Sequence, residues 1–70
     1  MVEIFKTNVI EQTQAMLVQK ILSNTFPQYK INFDLSDCDK VLRIEGESIV
    51  PKSIIAVLEA NAYDCELLND

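Results

Sequence analysis

Hydrophobic residues recur along this chain with two different periods, and each period predicts a type of element. Strict alternation of apolar and polar residues over residues 29–35, and apolar positions on both faces of Val2–Thr7, indicate strands. Over residues 10–24 the spacing changes to three and four, which is typical of an amphipathic helix. Its apolar positions are Ala15, Val18, Ile21, Leu22 and, just beyond, Phe26.

Residues with turn and cap chemistry predict where these elements begin and end. Asn8, followed by Glu11 three positions later, indicates a capping box at the start of the first helix, and Pro27 indicates its end. Residues 36–40 predict a tight turn, because residues 41–45 resume a strand pattern. Residues 29–45 are therefore expected to form a hairpin.

The remainder of the chain predicts one more helix and one more strand. Gly46, the only glycine, closes the hairpin, and Pro51 suits the first turn of a helix because that position needs no N–H donor. Residues 61–63 can end this helix, and residues 65–68 form a short last strand. The predicted apolar stripe of the helix is Ile54, Ile55, Leu58 and Ala62.

The element order β-α-β-β-α-β predicts an α+β fold of the ferredoxin-like type. Two split units of this kind form a four-stranded antiparallel sheet, in the order 4-1-3-2, with both helices on one face. A chain of 70 residues is too short to enclose two cores, so residues 1–70 are expected to form one domain.

Charge and length exclude several functional classes. Eleven acidic residues against six basic ones give a net charge of −5, which disfavours binding to nucleic acid and to anionic membranes. No apolar run reaches the roughly 20 residues of a membrane span, and the N-terminus lacks the pattern of a signal peptide. We therefore expect a cytoplasmic protein that contacts neither nucleic acid nor a membrane.

Enzyme signatures are missing from the sequence. The chain has no histidine, and it has no glycine-rich phosphate loop and no serine or cysteine with a base placed to activate it. We therefore expect a protein without catalytic residues and without a cofactor.

Three features of the second half of the chain together resemble a known family. A strand pair ends at Gly46, Pro51 begins a helix, and Asn61, Ala62 and Tyr63 form the turn into the last strand. This combination resembles the heavy-metal-associated (HMA) domains of the copper-chaperone family, and the resemblance puts Asn61 where the turn of that family usually has glycine. The resemblance covers nearly the whole chain in length and element order, and it implies the ferredoxin-like fold.

The family's metal site has no counterpart in this sequence. HMA domains bind copper through a Met-x-Cys-x-x-Cys motif in the first loop and the opening turn of the first helix. The matching positions here are Val9, Glu11 and Gln14. A soft ion such as Cu(I) prefers paired thiolates, which a carboxylate and an amide cannot replace. Thiol-based copper transfer is therefore not expected of this chain.

The leading interpretation is an accessory module that binds another protein, one that the resemblance places in metal handling. The resemblance puts residues 8–14, 36–40 and 61–63 at one end of the fold. The candidate surface residues there are Asn8, Asp37, Asp39, Asn61 and Tyr63. The edge strands, second and last, are a further candidate surface, and edge pairing would equally produce a homodimer.

The alternative interpretation is a metal-ion carrier with atypical ligands. Glu11, Gln14 and Cys38 are the candidate ligands, together with the aspartates around Cys38. Each has a competing structural role, since Glu11 suits a helix cap and aspartates stabilise turns. Cys38 and Cys65 lie too far apart in the implied sheet for a disulfide. Cys65 shares a face with Leu67, so we expect it to be buried, and we expect the Cys38 thiol to be exposed.

Overall fold

The computed structural model describes residues 1–68. Its elements are β1 (Val2–Thr7), α1 (Gln12–Thr25), β2 (Lys30–Asp34), β3 (Val41–Glu45), α2 (Pro51–Ala60) and β4 (Cys65–Leu67). All paired strands are antiparallel, in the order β2-β3-β1-β4, which is the predicted order 4-1-3-2 counted from the other edge. The predicted α+β class and strand order are confirmed.

The hydrophobic core lies between the sheet and the two helices. Phe5 is fully buried, so its side chain points from β1 into the core. Because alternate residues of a strand face opposite sides, Ile4 lies on the open face of the sheet. Both helices contribute one stripe to the same cluster, which places them on one face of the sheet. The cluster consists of Phe5, Val18, Leu22, Ile31, Leu42, Ile44, Ile49, Ile54 and Leu58.

Helix α1 begins later than the sequence predicted. Its N-cap is Glu11 rather than Asn8, and the capping box joins Glu11 to Gln14. The Gln14 Oε1 accepts hydrogen bonds from the backbone N–H of Glu11 at 3.1 Å and of Ile10 at 3.3 Å. The prediction of Asn8 as the cap was wrong because Asn8 hydrogen-bonds to a distant turn instead.

Helix α2 ends in a Schellman motif. The Tyr63 N–H donates to the Leu58 carbonyl and the Ala62 N–H donates to the Glu59 carbonyl, each at 3.0 Å. Ala62 lies beyond the helix with a φ of 67°, in the left-handed region that glycine adopts most easily. Ala62 is therefore exposed rather than part of the predicted stripe, and it, not Asn61, occupies the position that favours glycine.

Neither helix within residues 1–68 combines the length and the apolar composition that crossing a bilayer requires.

Candidate functional site

Thr7, at the end of β1, holds two of the predicted surface loops together. Its backbone N–H donates to the Asp39 carbonyl at 3.1 Å, and its hydroxyl donates to the Lys40 carbonyl at 2.6 Å. The same hydroxyl oxygen accepts the Val9 N–H at 3.2 Å. Because Thr7 is only 6% exposed, water competes little for these bonds. The β2–β3 turn is thereby fixed against the β1–α1 loop.

Asn8 fixes the third loop to the other two. Its Oδ1 accepts the Asp64 backbone N–H at 2.8 Å, and its Nδ2 donates to the Asp64 carboxylate at 3.3 Å. In the same α2–β4 turn, Tyr63 is half-buried against the core, and the exposed Asn61 donates to the Val57 carbonyl at 2.7 Å. The three loops therefore meet at one end of the molecule.

This end carries the charge imbalance of the chain. We call it the acidic end and define it as the three loops together with the helix and strand termini beside them. Its charged residues are Glu11, Asp34, Asp37, Asp39, Glu59, Asp64 and Glu66, with Lys6 and Lys40. Seven acidic against two basic residues leave a charge of −5, which equals the net charge of the whole chain. The remaining residues of 1–68 include four basic and three acidic ones.

The two lysines of the acidic end neutralise little of this charge. The Lys6 Nζ lies 3.9 Å from the Asp39 carboxylate, and both side chains are substantially exposed. Such exposed pairs contribute little to stability. The Lys40 Nζ donates to the Leu35 carbonyl at 3.0 Å. Lys6 and Asp39 form the one ion pair found among residues 1–68, so the carboxylates create a negative potential that extends into solvent.

Asp34 stabilises the start of the β2–β3 turn. Its carboxylate accepts the Ser36 hydroxyl at 2.6 Å and the Ser36 N–H at 3.2 Å. These bonds favour the charged form, and the pKa of Asp34 is lowered, chiefly by the Ser36 hydroxyl. Asp34 therefore has the structural role that aspartates commonly have in turns.

The tip of this turn brings three potential metal ligands together. Single ligand atoms of Asp37, Cys38 and Asp39 all lie within 4.8 Å of one another, and the Cys38 thiol is exposed. The Asp37 carboxylate also accepts the Asp39 N–H at 2.8 Å, so it already stabilises the turn. Glu11 does not belong to this group, because Glu11 and Gln14 lie in the α1 cap.

Cys65 lies in an open cleft that the sequence did not reveal. The cleft has a volume of about 350 Å³ and is lined by Lys6, Thr7, Asn8, Glu59, Asp64, Cys65 and Glu66. Burial, with a smaller contribution from the negative charge of Glu59, raises the pKa of the Cys65 thiol to about 12. Cys38 is exposed as predicted, whereas Cys65 is half-buried rather than fully buried, and both cysteines are free.

No family model matches the sequence, and no curated protein matches it.

Proposed function

We propose that this chain is a small non-enzymatic binding module that docks to a basic surface of another protein through its acidic end. The single observation that carries the proposal is the concentration of charge: a net −5 resides at the one end where three loops meet. Complementary charge accelerates encounter and orients the partner. The HMA resemblance adds that the partner belongs to metal handling in the cytoplasm.

The hydrogen bonds of the acidic end support a docking role. Thr7 and Asn8 fix the loops by buried and cross-loop bonds before any partner arrives. A surface that is already ordered loses less conformational entropy on binding. The carboxylates can therefore be recognised as a fixed pattern.

The chemistry of the cleft supports a role without catalysis. With a pKa of about 12, the Cys65 thiol is protonated at neutral pH, and a protonated thiol is a poor nucleophile. No histidine occurs anywhere in the chain to act as a general base near neutral pH.

The second candidate function is a metal-ion carrier, which the close approach of Asp37, Cys38 and Asp39 favours. One thiolate with two carboxylates suits a borderline ion such as Zn(II) better than Cu(I), which prefers sulfur. Glu11, in the α1 cap, and Gln14, whose Oε1 accepts two hydrogen bonds, would have to leave the helix cap to join this site.

Two titrations of the reduced protein test these functions. A lysine-rich peptide added to isotope-labelled protein should shift the amide resonances of the three loops, with an effect that weakens as salt is added; a glutamate-rich peptide of the same length is the control. Absence of any shift with the lysine peptide would overturn the docking proposal. Stoichiometric binding of Cu(I), Zn(II) or Ni(II) that is lost in Cys38→Ser would establish the carrier instead.

A further inference from the structure

The two edges of the sheet are covered differently. At the β2 edge, Gln19 of α1 donates from its Nε2 to the Ile31 carbonyl at 2.8 Å, so a helix side chain occupies a backbone acceptor there. At the β4 edge, no side chain of residues 1–68 makes a bond of this kind to the strand. An uncovered edge is a template for another strand.

Strand β4 directs the backbone groups of two residues outward. The Leu68 N–H donates to the Ile4 carbonyl at 2.9 Å, and Glu66 pairs with Lys6, so Leu68 and Glu66 face β1. Backbone groups alternate in direction along an antiparallel strand. The N–H and C=O groups of Cys65 and Leu67 therefore point to the open edge, where they offer two donors and two acceptors.

Carboxylates lie on several sides of this edge. Glu59, near the end of α2, is close enough to Cys65 to act on its thiol, and Asp64 directly precedes the strand. Glu66 projects from the open face of the sheet, where its cross-strand neighbour is Lys6. All three carboxylates line the same cleft, and Lys6 is the only cation among its lining residues within 1–68.

We infer that the β4 edge binds an extended basic segment of the partner as an added strand. This inference rests on the proposed docking function and specifies the partner's chemistry. The segment pairs its backbone with Cys65 and Leu67, and its lysines or arginines, at alternate positions, lie on the open face of the sheet near Glu66, with Asp64 at the start of the strand. Residues between them are apolar and lie beside Leu67. Backbone pairing provides the register, and charge provides the selectivity.

Capped six-residue peptides that alternate lysine and valine test the inference. Binding should slow hydrogen exchange of the Cys65 and Leu67 amides. Two further peptides are N-methylated at either the lysine or the valine amides. Each keeps its charge but loses the backbone N–H donors along one edge of the peptide strand. At least one of them should bind roughly fivefold more weakly. Glu66→Gln should weaken binding about two- to fivefold, whereas Glu47→Gln, the matched control outside the cleft, should not.

Three other outcomes would overturn the edge inference, the docking function or both. Equal binding of all the peptides, with shifts in the loops but no protection of Cys65 and Leu67, would overturn the edge inference and leave the docking function intact. Failure of every lysine peptide to bind would overturn both. Concentration-dependent protection of the two amides without peptide would show that a second copy occupies the edge, and it would also overturn the inference.

Discussion

Asn8 and Asp64 lie 56 positions apart in the sequence and are joined by two hydrogen bonds, one of 2.8 Å and one of 3.3 Å. The pair connects the β1–α1 loop to the α2–β4 turn, while Thr7 connects the same loop to the β2–β3 turn. The acidic end is therefore ordered by a few tertiary bonds between loops that have no regular secondary structure.

Removing the Asn8 side chain should destabilise the protein. Asn8→Ala loses both bonds and should lower the free energy of unfolding by about 1 kcal/mol, whereas Asp64→Ala keeps the backbone N–H bond and should lose less. Asn8→Asp should also be destabilising at neutral pH, because two carboxylates would then face each other, and Asp64→Asn should relieve that loss. Urea denaturation measures these differences; equal stabilities of all variants would contradict the role of the pair.

Ala62→Gly should stabilise the protein. The left-handed φ of 67° strains an alanine, and glycine removes that strain at a smaller cost in unfolded-state entropy. A net gain of about 0.5 to 1 kcal/mol is expected in thermal or urea denaturation. Ala56→Gly, an exposed position inside α2, is the control and should lose about 1 kcal/mol. A loss at both positions would argue against the Schellman motif.

Gly46→Ala should be destabilising for a steric reason. A Cβ atom at this position would lie 2.8 Å from the Tyr29 ring, while the Gly46 backbone does not have a positive φ. The Tyr29 ring is restrained because it stacks on Phe26, with ring centroids 5.5 Å apart, and its hydroxyl donates to the Ser48 carbonyl at 3.0 Å. We expect a loss of about 1 to 3 kcal/mol.

A double-mutant cycle separates this contact from other effects of Gly46→Ala. In a Tyr29→Ala background the clash is absent, so the added cost of Gly46→Ala should shrink to a few tenths of a kcal/mol. Additive losses would mean that the glycine is needed for another reason.

Cys65 should make stability fall at alkaline pH. Its thiol has a pKa of about 12 in the folded protein against an ordinary value of 9.0. Between these values the folded chain retains a proton that the unfolded chain has lost, so the free energy of unfolding decreases as pH rises. Denaturation of the wild type and of Cys65→Ala over this range should show a shallower decline in the variant. Identical slopes would contradict the burial of the thiol.

Local pattern predicted the order of the elements, because the periods of strands and helices depend only on neighbouring residues. The start of α1 could not be predicted in this way. Asn8 has the side chain of a good N-cap, but its preference for Asp64 depends on how the finished fold places the two loops. The sequence placed the left-handed residue after α2 at Asn61, one position too early. Local pattern predicts that the helix ends near these residues but does not determine which of them adopts the left-handed conformation.

The candidate site was predictable in part. The exposure of Cys38 follows from its position in a turn rich in polar residues. The proximity of Glu59 to Cys65, and the cleft that contains both, depend on how the last turn of α2 packs beside β4. No local spacing encodes that contact, so the sequence alone gave no sign of the cleft.

Docking depends on where the negative charge lies rather than on its total amount, and a pair of triple variants separates the two. Asp37→Asn, Asp39→Asn and Asp64→Asn together remove three charges from the acidic end but retain oxygen acceptors for its hydrogen bonds. The matched control, Glu3→Gln with Glu45→Gln and Glu47→Gln, removes three charges elsewhere.

Isothermal titration with the lysine-rich peptide, which is expected to contact all three loops, compares the two triple variants at equal net charge. We expect at least a tenfold loss of affinity in the aspartate variant, at roughly 0.5 kcal/mol for each exposed charge pair, and nearly wild-type affinity in the glutamate variant. Equal losses in the two variants would contradict this expectation.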